Sequence, residues 1–407
     1  MTRVLHILDH SVPVTDGYSI RSRNIVQSQR ACGIDAVVLT SQQHEPAVQG
    51  NPEEHQEIRY HRTRKYSESR IPFWRESQRV RCMVNRIDEV IRLEQPDILH
   101  AHSPCLWGRA ATKVARRRGL PVLYEIRGFW EDAAVDLGKT TETSVRYKVS
   151  QWLETSVCRK VDAVTTIAKH LKCDLVERGV AQEKIHLTPN GVDANEFQPL
   201  QTDKDLKNSL GGRDRVFVGY IGSLFAWEGV DDLIEAIPLI VQSDPRVVVV
   251  IVGGGQFEQR IRNLIAKTDV GNHVRFIGRV SHDEVAKYYS ILDVLIYPRK
   301  RTRNTELCTP LKPLEAMAME KAILVSDVGG ITELLGPETG IQFRSGDVAD
   351  LATKCVTLTS DTSLRSELGR NARKHVIATR GWQQIAKSYM AVYERLSAAK
   401  TSRQTSS

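Results

Sequence analysis

The stretch TELCTPLKPLEAMAMEKAILVSDVGGITELL, Thr305 to Leu335, decides how this chain is read. It sets Glu315 at the head of an Ala/Met-rich helical pattern. A run that reads as a buried strand, AILVS from Ala322 to Ser326, follows, and then the glycine pair Gly329-Gly330. A carboxylate near a helix N-terminus sits among free backbone N–H groups, so it can accept from a sugar hydroxyl while those amides hold phosphate oxygens. The same residues also describe an ordinary strand, turn and helix of an α/β domain, and the stretch alone leaves both readings open.

Immediately upstream, Arg299, Lys300, Arg301 and Arg303 follow the apolar run VLIYP, Val294 to Pro298. Cations at the end of a strand, joined by Lys312, suit a leaving diphosphate and the charge that grows on it. A solvated basic loop is the alternative. Outward from there, short Val/Ile/Leu runs recur with room for a helix between each pair, as parallel sheets covered on both faces require. In the second half they lie at 216–221, 246–252, 274–278, 294–298, 322–326 and 340–343, and in the first half at 4–8, 36–40, 57–61, 97–101, 122–126, 163–167 and 184–188. The reading is two doubly wound sheets in sequence, with the polar segment Asn195 to Arg215 as the linker.

At 407 residues the chain has room for two domains with substantial cores. Its 41% hydrophobic and 26% charged residues are ordinary for a globular protein. The longest apolar run, VVVVIV before Gly253, is too short to cross a bilayer, and MTRVLHILDH lacks the apolar core of a signal peptide. Seven cysteines without a C-x-x-C pair argue against a disulfide framework and a zinc site, so a cytoplasmic location is expected. A formal charge of +8 and a pI near 9.1 call for an anionic partner, without choosing among nucleic acid, lipid and phosphorylated substrate.

Open α/β sheets bind ligands beyond the carboxyl ends of their strands, so the strand ends hold the candidates. After the first strand, DHSVPVTDGYSIRS places Gly17 before a helix, as a close-approach or a simple turn glycine. His100 and His102 share one side of their strand by period-2 alternation, with His102 the better site candidate and His100 a packed core residue. YEIRGFWED brings Glu125, Arg127, Glu131 and Asp132 together: Arg127 to neutralise phosphate or carboxylate, Glu131 or Asp132 to serve an acceptor hydroxyl, or all as local ion pairs. Asn190-Gly191 is a turn signal, Gly222 and Ser223 offer an amide and a hydroxyl to phosphate, and Gly253 to Gly255 end the next strand without completing G-x-G-x-x-G. The D-x-D at Asp203 to Asp205 lies in the linker, so no metal is expected.

Together NGVD, the GS…EGVDDLIEA element, VGGG, F-x-G-x-V and the PLKPLEAMA…VSDVGGITELL block resemble family 4 of the retaining glycosyltransferases. DHSVPVTDGYSIRSR, YEIRGFWED and TELCTPLKPLEAMA are most similar to its bacterial subgroup associated with exosortase and exopolysaccharide clusters. The resemblance implies a GT-B fold, two Rossmann-like doubly wound parallel-sheet domains of α/β class facing a central cleft. It also implies metal-independent, retaining transfer of a sugar from a nucleotide-diphosphate donor to a carbohydrate or lipid-linked acceptor, with no cofactor. Residues 1–195 would form the acceptor-side domain, 196–380 the donor domain, 381–396 a helix crossing back, and 397–407 a disordered tail.

By the same resemblance Glu315 matches a ribose-binding glutamate, and the amides around Leu311 to Leu314 would hold phosphate. The donor-binding set is then Gly17, Asn190, Gly222, Ser223, Gly254, Arg299, Arg301, Arg303, Leu311, Lys312, Leu314 and Glu315, and the catalytic set His102, Arg127 and Glu306. Three positions depart from the family. Its diphosphate-binding Arg and Lys are replaced by Ser223 and Glu228, with Arg299, Arg301 or Arg303 as substitutes. Its first glutamate is replaced by Leu307, with Glu306 adjacent, and its histidine after the strand 122–126 by Arg127. A sugar-nucleotide epimerase and a non-catalytic sugar-nucleotide-binding scaffold are the competing readings, and nucleic acid is not expected as a partner. The arginine-rich segment Arg59 to Arg92, with Phe73 and Trp74, reads either as a solvated helix or as a dock on an anionic membrane surface.

Overall fold

The structure is a computed structural model and describes residues 1–14, 16–44, 52–212 and 214–405, without the side chains of 72, 73, 282, 283 and 401–405. The chain divides into two compact units, Met1–Pro189 with Trp382–Ser407, and Asn190–Gly381. The change falls between Pro189 and Asn190, five residues before the expected linker, and that linker itself holds a short helix.

In the first unit the order is β1 (Arg3–Leu8), α1 (Gly17–Ala31), β2 (Asp35–Thr40), β3 (Glu53–His55), β4 (Ile58–Arg62), α2 (Pro72–Glu94), β5 (Ile98–His102), α3 (Cys105–Arg118), β6 (Val122–Ile126), α4 (Trp130–Asp136), α5 (Val145–Lys160), β7 (Ala163–Thr166), α6 (Lys169–Glu177) and β8 (Ile185–Leu187). The second holds α7 (Lys204–Leu210), β9 (Val216–Ile221), α8 (Val230–Ser243), β10 (Val247–Val252), α9 (Glu258–Lys267), β11 (Val274–Gly278), α10 (His282–Ile291), β12 (Val294–Tyr297), α11 (Arg303–Leu307), α12 (Lys312–Ala318), β13 (Ala322–Ser326), α13 (Gly329–Thr332), β14 (Ile341–Phe343), α14 (Val348–Ser360) and α15 (Thr362–Thr379). The chain then returns to the first unit as α16 (Trp382–Thr405). That helix runs nine residues past Leu396, so 397–405, expected to be disordered, is helical.

The sheets are ordered β3-β4-β2-β1-β5-β6-β7-β8 and β11-β10-β9-β12-β13-β14. Every pairing is parallel except β3 with β4, an antiparallel edge that the apolar-run pattern misses because Glu53, Glu54 and His55 are polar and at least partly exposed. β10 is buried along its whole length, as a strand covered on both faces must be, which is why its sequence reads VVVVIV rather than alternating. Strand order reverses between β1 and β5 in one sheet and between β9 and β12 in the other, and the crevice outside such a switch point is where open α/β sheets take ligands.

Glycines let the loops at the second switch point close. Gly253 has φ +138, and a Cβ there would sit 1.8 Å from the Gly222 carbonyl oxygen; one on Gly255 would sit 2.3 Å from that of Leu224. The loops after β9 and β10 therefore touch backbone to backbone. Gly253→Ala should lower unfolding stability by about 3 kcal/mol, through strain and forced separation of these loops. Urea denaturation measures this, and an unchanged midpoint would contradict the close approach.

Candidate functional site

At the switch point of the second unit, the end of β12 delivers Arg299 beside the loop that follows β9. Arg299 is 5% exposed; its Nε lies 3.5 Å from Glu228 Oε2, and its Nη1 donates to the Cys308 carbonyl at 3.0 Å. Its own carbonyl accepts from Ser326 Oγ and Ser345 Oγ. The acid that departs from the family pattern is thus held against a cation from the neighbouring strand end.

The other cations of that loop differ. Lys300 Nζ pairs with Asp231 at 2.6 Å and Asp232 at 3.2 Å, and Arg301 with Glu306 and, at 2.8 Å, with Asp327. Arg303 begins α11 and has its Nε buried. Among the described residues, Arg299 alone of the three proposed substitutes is both nearly enclosed and next to Glu228. Glu306 also accepts from the Gly329 amide at 2.7 Å, so both of its oxygens are engaged, while Leu307 is buried.

Glu315 is 8% exposed, accepts from Tyr289 Oη at 3.1 Å and faces Lys312 Nζ at 3.0 Å. Tyr297 Oη donates to the Lys312 carbonyl, so two tyrosines from α10 and β12 fix the first turn of α12. Of the amides expected to hold phosphate, Pro313 has none and that of Leu314 donates to the Leu311 carbonyl at 3.0 Å. Leu311 and Lys312 carry that expectation.

Gly222, Ser223 and Gly254 lie on the contacting loops after β9 and β10. Ser223 is exposed, and its carbonyl accepts from Tyr220 Oη at 2.8 Å. Asn190 is a tether: its Nδ2 donates to the Thr309 carbonyl at 2.7 Å and to Thr309 Oγ1 at 3.1 Å.

In the first unit the switch point is filled by a buried polar cluster. His6 on β1 pairs in register with His100 on β5, and His102 with Glu125 on β6. All four are fully buried, and the rings of His100 and His102 stack at 4.2 Å, so alternation predicted their shared side. His102 is the last residue of its strand rather than beyond it, and both its nitrogens are bonded: Nδ1 to Arg127 Nη2 at 2.7 Å and Nε2 to His6 Nδ1 at 3.0 Å.

Arg127 uses four of its five N–H groups on Glu125 Oε1 at 2.7 Å, the Tyr18 carbonyl and Ser22 Oγ at 2.9 Å each, and His102. One N–H is left, too few for the two-pronged grip on phosphate or carboxylate by which Arg127 was expected to neutralise a ligand. Glu131 and Asp132 are likewise buried, on Arg178 at 2.8 Å and Tyr147 Oη at 2.6 Å, which is the local-pair alternative. Burial alone would raise the Glu125 carboxyl, but Arg127 and Arg21, then His102, hold it well below the usual range. Burial, followed by mutual repulsion, keeps His6 and His102 neutral, well below the ordinary histidine value.

Sequence reasoning missed His6, Arg21, Gln29, Tyr389 and Tyr393 as members of this cluster. The signal that could have found the two tyrosines is their i, i+4 spacing, which puts both on one face of α16. Gly17, by contrast, is the exposed first residue of α1, next to the N-cap Asp16.

Asp9, His10 and Asp16 make a second cluster on the loop after β1. His10 bonds Asp16 at 2.7 Å and Asp9 at 3.0 Å, and Asp9 also accepts from Trp107 Nε1. Burial pulls the His10 ring down, but Asp16 and Asp9 outweigh it and raise its pKa to about 9. His10 is cationic at neutral pH.

A cavity of about 740 Å³ lies at the amino ends of β6 and β7, between Leu120, Arg116, Lys160 and Leu396. None of the expected site residues lines it. Three histidine nitrogens of His6, His100 and His102 lie within 4.8 Å of one another, the one such metal-capable group among the described residues.

Comparison with known proteins agrees with this architecture. The sequence profile of the Glycosyl transferases group 1 domain matches residues 202–375, and that of the Glycosyl transferase 4-like domain matches 16–191. The chain belongs to the GT-B glycosyltransferases of this family 4/1 type. It is 24% identical over 368 residues to the sulfoquinovosyl transferase SQD2 of Arabidopsis thaliana, covering 88% of this chain and 66% of that protein. It is 29% identical over 230 residues to the GDP-mannose-dependent monoacylated alpha-(1-6)-phosphatidylinositol monomannoside mannosyltransferase of Corynebacterium glutamicum, covering 55% and 60%. The chain thus spans just under two thirds of the length of these curated relatives. Among solved structures, the sucrose-phosphate synthase of Thermosynechococcus elongatus superposes with TM-score 0.78 at 21% identity, over 98% of this chain and 100% of that one. HepE of Anabaena in complex with UDP superposes with TM-score 0.75 at 16% identity, over 97% and 100%.

The His10 pair gives a pH test. Its folded pKa lies above the unfolded value of about 6.5, so its stabilisation is full below that pH and is lost as pH rises through about 9. The melting temperature of the wild type should exceed that of His10→Gln at pH 6, with the gap closing by pH 9.5; a gap constant across that range would contradict the pairing.

Proposed function

We propose that this chain is a retaining glycosyltransferase that takes a sugar from a nucleotide-diphosphate donor held by the second unit. The observation that carries the reading is the Glu228–Arg299 pair. At the place where the family sets a cation for the diphosphate, this chain has an acid, and a buried arginine from β12 stands against it. Arg299 Nη2 has no partner among the described residues, which leaves a donor group for a phosphate oxygen. Glu315, steadied by Tyr289 and Lys312, takes the ribose hydroxyls; the amides of Leu311 and Lys312 complete the phosphate contacts. Arg301, Arg303 and Glu306 shape the loop rather than grip the donor.

Retention without a metal follows from the family resemblance and from cations that can stabilise the departing diphosphate in place of an ion. Relatives that include the capsular polysaccharide biosynthesis glycosyltransferase CapM of Staphylococcus aureus support a role in bacterial polysaccharide biosynthesis. HepE has been solved with UDP-glucose, which makes uridine nucleotides the first donors to try.

Membrane docking through Arg59 to Arg92 is part of the proposal. Much of that charge is paired internally: Arg59 with Glu94, Arg62 with Glu53, Arg79 with Glu68 and Arg86 with Glu89. Arg64, Arg70 and Arg81 have no ion pair among the described residues, and Ile71 and Trp74 are 58% and 67% exposed beside them. The Phe73 side chain lies outside the described residues. No described helix is long and apolar enough to cross a membrane, so attachment would be peripheral, at an anionic lipid face.

Two measurements test the proposal. Arg299→Ala should weaken donor binding at least about tenfold in a thermal-shift titration while Arg301→Ala changes it by less than about threefold; equal effects would remove Arg299 from the diphosphate. Sedimentation with vesicles rich in anionic lipid should capture the wild type at low salt and lose it at high salt or on Trp74→Glu, and failure to bind at low salt would end the docking claim.

A further inference from the structure

The buried cluster of the first unit has a direction, and the direction follows from Arg127. A guanidinium only donates, so His102 Nδ1 accepts and its proton sits on Nε2. That proton is then given to His6 Nδ1, which puts the His6 proton on Nε2, aimed at Gln29 Oε1 at 2.9 Å. The Gln29 amide donates to Tyr393 Oη at 3.1 Å, and we assign the Tyr393 proton to the shorter of its two contacts, His100 Nδ1 at 2.8 Å rather than Gln29 Oε1 at 3.3 Å. His100 Nε2, buried without a hydrogen-bond partner, turns its proton to Glu125 Oε2, 3.6 Å away. Glu125 also accepts from Tyr389 Oη, and its other oxygen takes Arg127 Nε. Apart from the one longer, electrostatic contact of His100 with Glu125, the run of hydrogen bonds returns to Arg127, where it began.

The same assignment argues against a metal on the three histidines. A ligating histidine donates its second N–H outward to an acceptor, whereas the outer nitrogen of His102 faces a donor that cannot reverse. Its inner nitrogen therefore carries a proton.

A closed set of buried polar groups is costly unless all are satisfied, and such sets are tolerated where they fix a functional geometry. Two of its members, Tyr389 and Tyr393, lie on α16, the segment by which the chain returns from the second unit. We propose that Tyr389 and Tyr393 are positioning residues: seating α16 completes the circuit and thereby fixes Arg127 and His102 at the switch point of the first unit for the transfer. Their link to turnover rests on the glycosyltransferase reading; the circuit itself does not. The charged and titratable groups around Glu125 are His6 from β1, Arg21 and Tyr18 from α1, His100 and His102 from β5, Arg127, and Tyr389 and Tyr393 from α16.

Histidine-selective ¹⁵N labelling of the full chain should show His6 and His102 as neutral Nε2–H tautomers, resisting protonation below the ordinary histidine range. Tyr393→Phe removes the partner of His100 Nδ1 and should let the His100 tautomer mix, while Arg127 keeps His6 and His102 as Nε2–H. In turnover, Tyr389→Phe and Tyr393→Phe should each lower kcat about tenfold with donor KM within about twofold. Tyr389→Phe should also move the acid limb of the kcat profile to higher pH, because Glu125 loses a hydrogen bond to its charged form. Ile385→Ala, an apolar change on the same helix, should lower the melting temperature and leave the pH profile in place. An unmixed His100 tautomer in Tyr393→Phe, a wild-type kcat and pH profile in both tyrosine variants, or zinc taken up by the three histidines would overturn the proposal. Absence of turnover with any donor, with the tautomer pattern intact, would sink the glycosyltransferase reading and leave the circuit standing.

Discussion

A parallel strand covered on both faces can carry chemistry only at its carboxyl end, and this constraint organises the whole chain. β9, β10 and β12 are buried along their whole length, so polar groups that must meet a ligand collect where strands stop and loops begin. The two reversal points in strand order then decide which ends stand side by side. β9 next to β12 brings Glu228 to Arg299; β1 next to β5 brings His6 to His102, and β5 next to β6 brings His102 to Glu125.

The two sites manage charge in opposite ways. In the second unit Lys300 and Arg301 are matched by acids from neighbouring elements, Asp231, Asp232, Glu306 and Asp327, so the basic run of the sequence is less cationic in place than its composition suggests. Arg299 differs because its partner, Glu228, reaches only one end of the guanidinium. In the first unit a carboxylate, two guanidinium groups and three histidines share an almost wholly buried space, and burial with mutual repulsion keeps His6 and His102 neutral. Burying such groups is unfavourable unless each is answered, which makes the cluster sensitive to loss of any member.

Much of the fold was legible. Thirteen apolar runs coincide with thirteen of the strands, because a doubly covered strand leaves an uninterrupted signature. The edge strand β3 has no such signature, and neither does the helical extension of α16 past Leu396, where Ser, Lys and Thr read as a tail. At the sites, residue types were legible and partners were not. Arg127 looked like a phosphate clamp because nothing in YEIRGFWED tells that Tyr18, Ser22 and His102 will occupy its N–H groups. Glu306 looked available for the same reason, since Arg301 is near in sequence but the Gly329 amide is not.

By itself the sequence determined the class of architecture, the two-domain division and the family, since hydrophobic periodicity and the Glu315 block are local properties of the chain. Only the tertiary structure decided which charges face each other, which hydroxyls of α16 enter the core, and which of several arginines is left with an unengaged donor. Those are contacts between residues up to several hundred positions apart, and their energies depend on burial and direction, which no linear pattern encodes.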